Sequence, residues 1–283
     1  MIPPLPRKRI LVASRVALPA CLRGASRVAR QFGWHLASEM AHTGTYPHHW
    51  QGDGVIAVTT QESDFLPELL EADAPCVEIA LGGDGVIFPS IRVDQAAIGY
   101  LAAEHLYRCG FRNFVRAPFA GDGAERERFA AFEKRIRDWG GRCLPSFPIH
   151  PSGGENTAGT WAAYREILLG LLQEQTEPVG IFAANDSVAM EIAGACAQLA
   201  CSGRAHVGIL GVCYDPRLDG ALPYPFPSVA LDVEGMALRA AIALDDLLHG
   251  KTVPDVTMMP PAQIVMREAA LGPVGTGRAF LDG

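Results

Sequence analysis

The chain has 283 residues, 49% of them apolar and 19% charged, with a formal net charge of -7. So much apolar side chain excludes a disordered chain, and the length exceeds the usual single core, so two lobes are expected. The negative balance, without a dense Lys/Arg cluster, lacks the electrostatic footprint of a nucleic-acid-binding surface. The seven cysteines (Cys21, Cys76, Cys109, Cys143, Cys196, Cys201 and Cys213) are odd in number, scattered and never spaced C-x-x-C. That pattern argues against a disulfide framework and against a structural zinc site. No run approaches the roughly 18–20 apolar residues of a membrane span, and the amino terminus reaches its first apolar strand within about ten residues without a cleavable leader. A soluble cytoplasmic protein with no membrane partner is expected.

In chain order, short apolar runs alternate with longer amphipathic stretches. Strands are expected near Ile10–Ala13, Trp34–Glu39, Gly54–Val58, Cys76–Ile79 and Ser90–Val93, and the rhythm repeats at Asn113–Ala117, Arg142–Phe147, Val179–Ala184, His206–Gly211 and Ser228–Leu231. Strand, helix, strand, helix implies parallel sheets with right-handed crossovers. Between the two sets, 96–109 carries Ile98, Leu101, Ala102, His105 and Leu106 at helical spacing and stops at Gly110, a good left-handed terminator. The fold class is therefore α/β, with two doubly wound parallel-sheet lobes. The expected division is 9–117 with 234–253 in one lobe, 118–232 with 256–269 in the other, and 270–283 as a linker or tail.

The run Gly180-Ile181-Phe182-Ala183-Ala184 stops at Asn185-Asp186 and restarts as a helix. Polar residues just past a parallel strand sit in the crevice where open α/β sheets bind ligands, so both are candidates for a small polar molecule; the alternative is that either caps the helix. The same position relative to a strand end makes Asp94, Ser14 and Arg15 candidates, with turn formation the alternative for Ser14 and Arg15. His105 reads as a packing or helix-surface residue. The pair His48-His49 lies in a loop without a second ligand cluster, so no metal is expected.

Enzyme signatures fail: there is no G-x-S-x-G elbow, H-E-x-x-H, Walker A loop or G-x-G-x-x-G. Gly82-Gly83-Asp84-Gly85 reads as a surface turn. No catalytic residue and no cofactor is assigned, although acid/base pairs from distant parts of the chain are not excluded.

Read together, the spacings carry a family resemblance. Gly52-Asp53-Gly54-Val55-Ile56-Ala57 resembles the "xDGVI" strand of the lactose-repressor (LacI/GalR) and periplasmic sugar-binding superfamily. Ser90-Ile91-Arg92-Val93-Asp94, followed by Gly99, Ala102 to Leu106 and Gly110-Phe111, is similar to its "vxxD…G…aaxHLxxxGf" segment. The stretch from Glu125 to Phe132 resembles its "RxxGF" helix, and Ala184-Asn185-Asp186-Ser187-Val188-Ala189 its "aNDxxA" turn. The pieces keep their order from about Arg9 to Glu268. The closer likeness is to the sensor half of xylose operon regulators, because the first strand begins at Arg9, with no room before it for a helix-turn-helix head. Such regulators carry an AraC-type helix-turn-helix after the sensor, and Gly272 to Arg278 reads as a linker or cloning remnant.

The resemblance implies a type I periplasmic-binding-protein-like fold that closes on a sugar, a symmetric dimer, and DNA contact only through a missing module. It assigns Arg128 to the ligand, where its planar fork can donate to two hydroxyls; the alternative is a surface ion pair with Glu125 or Glu127. It places Trp161 where an aromatic stacks on a sugar ring, with a core tryptophan as the alternative. One departure stands out. Where the superfamily has an Asp after a Gly-apolar pair, this chain has Gly211-Val212-Cys213, so that either Asp215 reaches in from two residues later or the pocket lacks that acceptor. A periplasmic sugar-binding protein is the rival reading, and the sugar itself is left open.

Overall fold

A computed structural model describes residues 8–15, 18–47, 50–59, 65–82, 87–119, 123–146, 158–200, 207–220, 222 and 224–267, with the side chains of 158–160 and 198–200 left aside. His48-His49, Gly83-Asp84-Gly85 of the expected surface turn, Arg7, Cys201, Phe147 and everything from Glu268 onward lie outside the described residues.

The first sheet holds β1 (Arg9–Ala13), β2 (His35–Ala37), β3 (Gly54–Thr59), β4 (Cys76–Ala80), β5 (Ser90–Val93) and β11 (Val256–Met259), in the spatial order β11-β5-β4-β3-β1-β2, all parallel. The second holds β6 (Asn113–Ala117), β7 (Arg142–Cys143), β8 (Val179–Ala183), β9 (Val207–Val212), β10 (Ser228–Ala230) and β12 (Gln263–Val265), in the order β12-β10-β9-β8-β6-β7. Only β12 runs antiparallel to its neighbour. Two doubly wound, mainly parallel α/β lobes are therefore what the chain forms.

Period-two alternation sorts the strand side chains between cores. Ile10, Val12, Ile56 and Val58 face one side of the first sheet, under α1 (Pro19–Phe32) and α8 (Val233–Leu248). Leu11, Ala13, Val55 and Ala57 face the other, with Met40 of α2 (Met40–Thr43) and Leu69 of α3 (Leu66–Glu71). Because both faces are covered, the central strands β1 and β3 read as nearly unbroken apolar runs. In the second sheet Phe114 and Phe182 pack with Phe129 and Phe132 of α5 (Gly123–Asp138), while Val115, Ile181 and Ala183 pack beneath α6 (Ala158–Gln173) and α7 (Asp186–Ala200).

Two parts of the expected lobe division are corrected. The strand 113–117 was assigned to the first lobe, but β6 pairs with β7 and β8 in the second sheet, and α4 (Gln95–Arg108) packs along α5. The segment 256–259 was assigned to the second lobe, but β11 extends the first sheet beside β5. The chain thus crosses between lobes at Asp94, at 231–232 and at 260–262. The crossings lie together: the Asp94 amide donates to Met259 O at 2.8 Å, and Ala262 N donates to Ala230 O at 3.0 Å. A sheet edge accepts any extended segment that reaches it, which is why a strand after a crossing is hard to allot from apolar pattern alone.

The start and stop of α4 follow local rules. Asp94 caps it by accepting from Ala97 N at 2.8 Å, and Gly110 ends it at φ 93°, a conformation that costs a side chain dearly. Gly99 is needed for a different reason. A Cβ there would meet Arg128 O at 2.1 Å and Phe132 N at 2.9 Å, so only glycine lets α4 lie this close to α5.

Candidate ligand site between the lobes

The carboxyl ends of the strands converge where the lobes meet, and the polar residues there can be taken one by one. Arg128, on α5, is 5% exposed. Its Nε and one terminal nitrogen donate to Gln95 Oε1 at 3.0 and 2.8 Å, and the other terminal nitrogen donates to Ala184 O at the end of β8. The surface ion pair is thereby set aside. Glu125 instead accepts from Phe119 N at 3.0 Å, and Glu127 is exposed. Arg128 fastens the first residue of α4 to the rim of the second sheet, a job for a planar fork that lysine cannot do.

Asn185 is the cap of α7, its Oδ1 accepting from Val188 N at 2.9 Å. Asp186 is buried: Oδ1 accepts from Ser228 Oγ at 2.5 Å, and Oδ2 is paired with Arg267 at 2.5 Å. The Arg267 side chain, 1% exposed, also donates to Asp219 Oδ1 at 3.2 Å and Phe226 O at 3.1 Å, and lies over the Tyr214 and Phe226 rings. Gly211 leaves the space this needs, since a Cβ there would meet Asp186 Oδ1 at 2.2 Å. Asp186 is therefore bound into a framework beneath the rim. Asp215 turns the same way: both its oxygens accept from Arg217, and it caps the short turn Pro216–Leu218.

Cys213, at the end of β9, is the one non-glycine among the described residues with positive φ, 67°. Such backbone strain persists where the surroundings over-determine it, often at binding sites. The residue is solvent-accessible, yet its thiol is crowded enough that desolvation pushes its pKa up, with Arg128 pulling it down and Asp186 raising it again.

Ser14 is buried and Arg15 exposed at the end of β1. Trp161 is not brought to this place by any described contact. It meets Tyr164 edge to face with centroids 6.3 Å apart, packs on the second-lobe core, and borders a cleft of about 190 Å³ between α6 and α7 with Arg165 and Glu191. Trp161 thus stands, partly buried, between the edge of that core and the cleft. His105 is half-buried on α4, and desolvation lowers its pKa.

A second cavity, of about 340 Å³, is walled by both lobes: Ala80, Arg92, Val93, Val256 and Met258 from the first sheet, Gly123, Ala124 and Glu127 from α5, and Gln95 at the crossing. Its size falls at the low end of small-ligand pockets, and an apolar wall with a few converging polar groups is the usual make-up of such sites. Sequence reasoning missed Gln95, Arg267 and Ser228. Gln95 carried a signal, adjacency to a candidate at a strand end, whereas Arg267 lies 81 residues from Asp186 with no motif to join them. Among the described residues no group of His, Cys, Asp or Glu is placed to hold a metal, and no helix is long and apolar enough to cross a membrane.

Residues 90–269 match the model of the periplasmic binding protein-like domain. No curated protein matches the sequence. Among solved structures, the chain is similar to the xylose-binding transcription activator XylR, with a TM-score of 0.72 and 22% identity over 95% of this chain and 71% of that one. It is also similar to a probable maltose operon transcriptional repressor from Staphylococcus aureus (TM-score 0.69, 13% identity, 94% and 99% covered) and to the regulator CelR in complex with cellobiose (0.65, 22%, 94% and 86%). These likenesses carry the fold. The family model spans well over half of the sequence, and the chain belongs to the periplasmic binding protein-like domain family.

Proposed function

We propose that this chain is the effector-binding domain of a transcription regulator, closing its two lobes on a monosaccharide-sized ligand without chemical turnover. The observation that carries the reading is the cavity of about 340 Å³ walled by both lobes and reaching Gln95, which Arg128 grips. A ligand seated there touches both lobes and so favours one relative arrangement of them, which is what a switch requires. The similar structures, described as a xylose-binding activator, a maltose operon repressor and a cellobiose-bound regulator, support the choice of a sugar and of transcription control. Ligand roles for Ser14, Arg15, Asp94, Arg128, Asn185 and Asp186 belong to this proposal, those of Asp94, Asn185 and Asp186 now shared with capping or framework duties. The proposal extends to Trp161, at the cleft between α6 and α7, and to Asp215, whose oxygens Arg217 engages.

The finer reading is a cytoplasmic sensor of the xylose-regulator kind, acting as a homodimer and contacting DNA through a separate AraC-type helix-turn-helix module. Thermal unfolding with a panel of saccharides is the test, because a ligand bound only by the folded state raises Tm by mass action. A rise with at least one saccharide is expected. A flat response to every saccharide, neutral and acidic, at millimolar concentration overturns the sugar reading.

A further inference from the structure

The hydrogen-bonding polarity of the cleft is fixed by which atoms the protein already holds. Gln95 Oε1 accepts two N–H groups from Arg128, which an amide nitrogen cannot do, so the orientation of the amide is determined and its NH2 leaves on the opposite side. Gln95 borders the interlobe cavity. Asn185 behaves alike: its Oδ1 is held by Val188 N, so its NH2 is the group it can turn outward. The acceptors on the same rim are committed elsewhere. Both oxygens of Asp186 are engaged by Ser228 and Arg267, both of Asp215 by Arg217, and at the end of β9 the side chain is the Cys213 thiol, a weak acceptor. Arg92 adds a positive charge to the cavity wall, its Nε donating to Ser90 Oγ at 3.1 Å. One carboxylate on the cavity wall is in position to receive hydroxyls: Glu127, exposed on α5.

A site of this make-up suits a ligand that has hydroxyls on part of its surface and charged acceptor oxygens on another. Resting on the effector reading above, we infer that the effector is an anionic sugar, bearing a carboxylate or a phosphate that the amide groups of Gln95 and Asn185 receive. A neutral pentose or hexose offers hydroxyls, which can accept from those amides only as weaker, uncharged partners.

Calorimetric titration at fixed ionic strength with D-glucose, D-galactose and D-xylose, with D-glucuronate, D-galacturonate and D-gluconate, with glucose 6-phosphate, and with acetate and inorganic phosphate alone separates the possibilities. At least one acid or sugar phosphate is expected to bind ten-fold or more tightly than its neutral parent, the carboxylate and phosphate arms telling which anion is used. Neutral sugars binding as well as or better than their acids overturns the inference while leaving the sugar reading intact. Acetate or phosphate alone binding as tightly as the sugar anions supports the anion site and removes the sugar; no binding of any probe overturns both.

Two variants add a second test. Gln95→Glu keeps an oxygen for Arg128, and Asn185→Asp keeps the cap, so each retains its structural bond while the outward donor is replaced by a negatively charged acceptor that repels an anion. Each is expected to lower affinity for the preferred anion at least ten-fold with Tm near that of the parent chain. Unchanged anion affinity in both, with wild-type Tm, overturns the inference.

Discussion

The two lobes repeat one architecture but bury their polar groups differently. In the first, the buried carboxylate Glu78 on β4 is answered by a neutral neighbour, the Thr59 hydroxyl on the adjacent strand β3. In the second, Asp186 meets a full charge: the Arg267 guanidinium, with Ser228 taking its other oxygen. Fold repetition therefore does not carry chemistry with it. The first lobe answers its buried carboxylate with a hydroxyl, whereas the second carries an ionic framework next to Asn185. That framework also ties in the far end of the described chain, because Arg267 follows β12, the strand entered by the last crossing.

If the framework matters as this comparison says, its loss is the largest effect to expect. Asp186→Ala removes the buried partner of the Arg267 guanidinium and leaves it only the more exposed Asp219 as an ion pair, which should cost about 3 kcal/mol of unfolding free energy, the low end for a broken buried pair. Urea denaturation followed by circular dichroism measures it. The double replacement Asp186→Leu with Arg267→Met removes both charges and should recover most of the loss, since paired burial adds little net stability over apolar packing. A single variant within about 0.5 kcal/mol of the parent, the range of ordinary surface changes, would erase the contrast between the lobes.

The first lobe supplies the matching test. Thr59→Val keeps shape and removes the hydroxyl that Glu78 accepts from, and should cost about 1–3 kcal/mol, the price of one unsatisfied buried group. A loss equal to that of Asp186→Ala would mean that the hydroxyl does the work of a guanidinium, and the two lobes would then be energetically alike.

Most of the scaffold was legible in the sequence because parallel strands buried on both faces are unbroken apolar runs: Ser90–Val93 and Asn113–Ala117 coincide with β5 and β6. The lobe division was less so. Edge strands β11 and β12 are short and partly exposed, and apolar pattern says nothing about which sheet a crossing delivers them to. The site was legible in position and not in role. Asn and Asp past a strand end are good caps and good ligand groups for the same reason, a short acceptor beside the backbone, so one sequence signal served Asp94, Asn185 and Asp186 alike. Arg128 stood out by resemblance, but its grip on Gln95 joins residues 33 apart, and only the packing of α4 on α5 brings them together.

That packing is the seam by which the second lobe receives α4, and Gly99→Ala probes it. The new methyl would collide with Arg128 O, and separating the helices should cost about 1–3 kcal/mol, as overpacking usually does. Ligand affinity should fall along with stability, because the shift pulls Gln95 from Arg128. Affinity unchanged in a destabilised Gly99→Ala variant would show that the Gln95–Arg128 contact is irrelevant to binding.

The smallest effect belongs to the surface of the second lobe, where Arg217 is exposed and pairs with Asp215. Exposed pairs are screened by water and hold two side chains still for little gain, so Arg217→Ala should unfold within error of the parent chain. The titration of Asp215 should move even so. The hydrogen bond from the Arg217 side chain is the leading cause that holds the Asp215 carboxyl below its ordinary range, desolvation opposing it. A depressed folded-state pKa means that the pair's contribution is present above the unfolded value and is lost as pH falls through the folded one. Removing Arg217 should therefore raise the Asp215 pKa toward that of a free carboxylate and flatten this acid-side dependence. Carboxyl-resonance NMR across the acid range reads the change directly. An Asp215 titration unmoved by Arg217→Ala would mean that something other than the arginine engages its oxygens, which would return Asp215 to the candidates for the cleft.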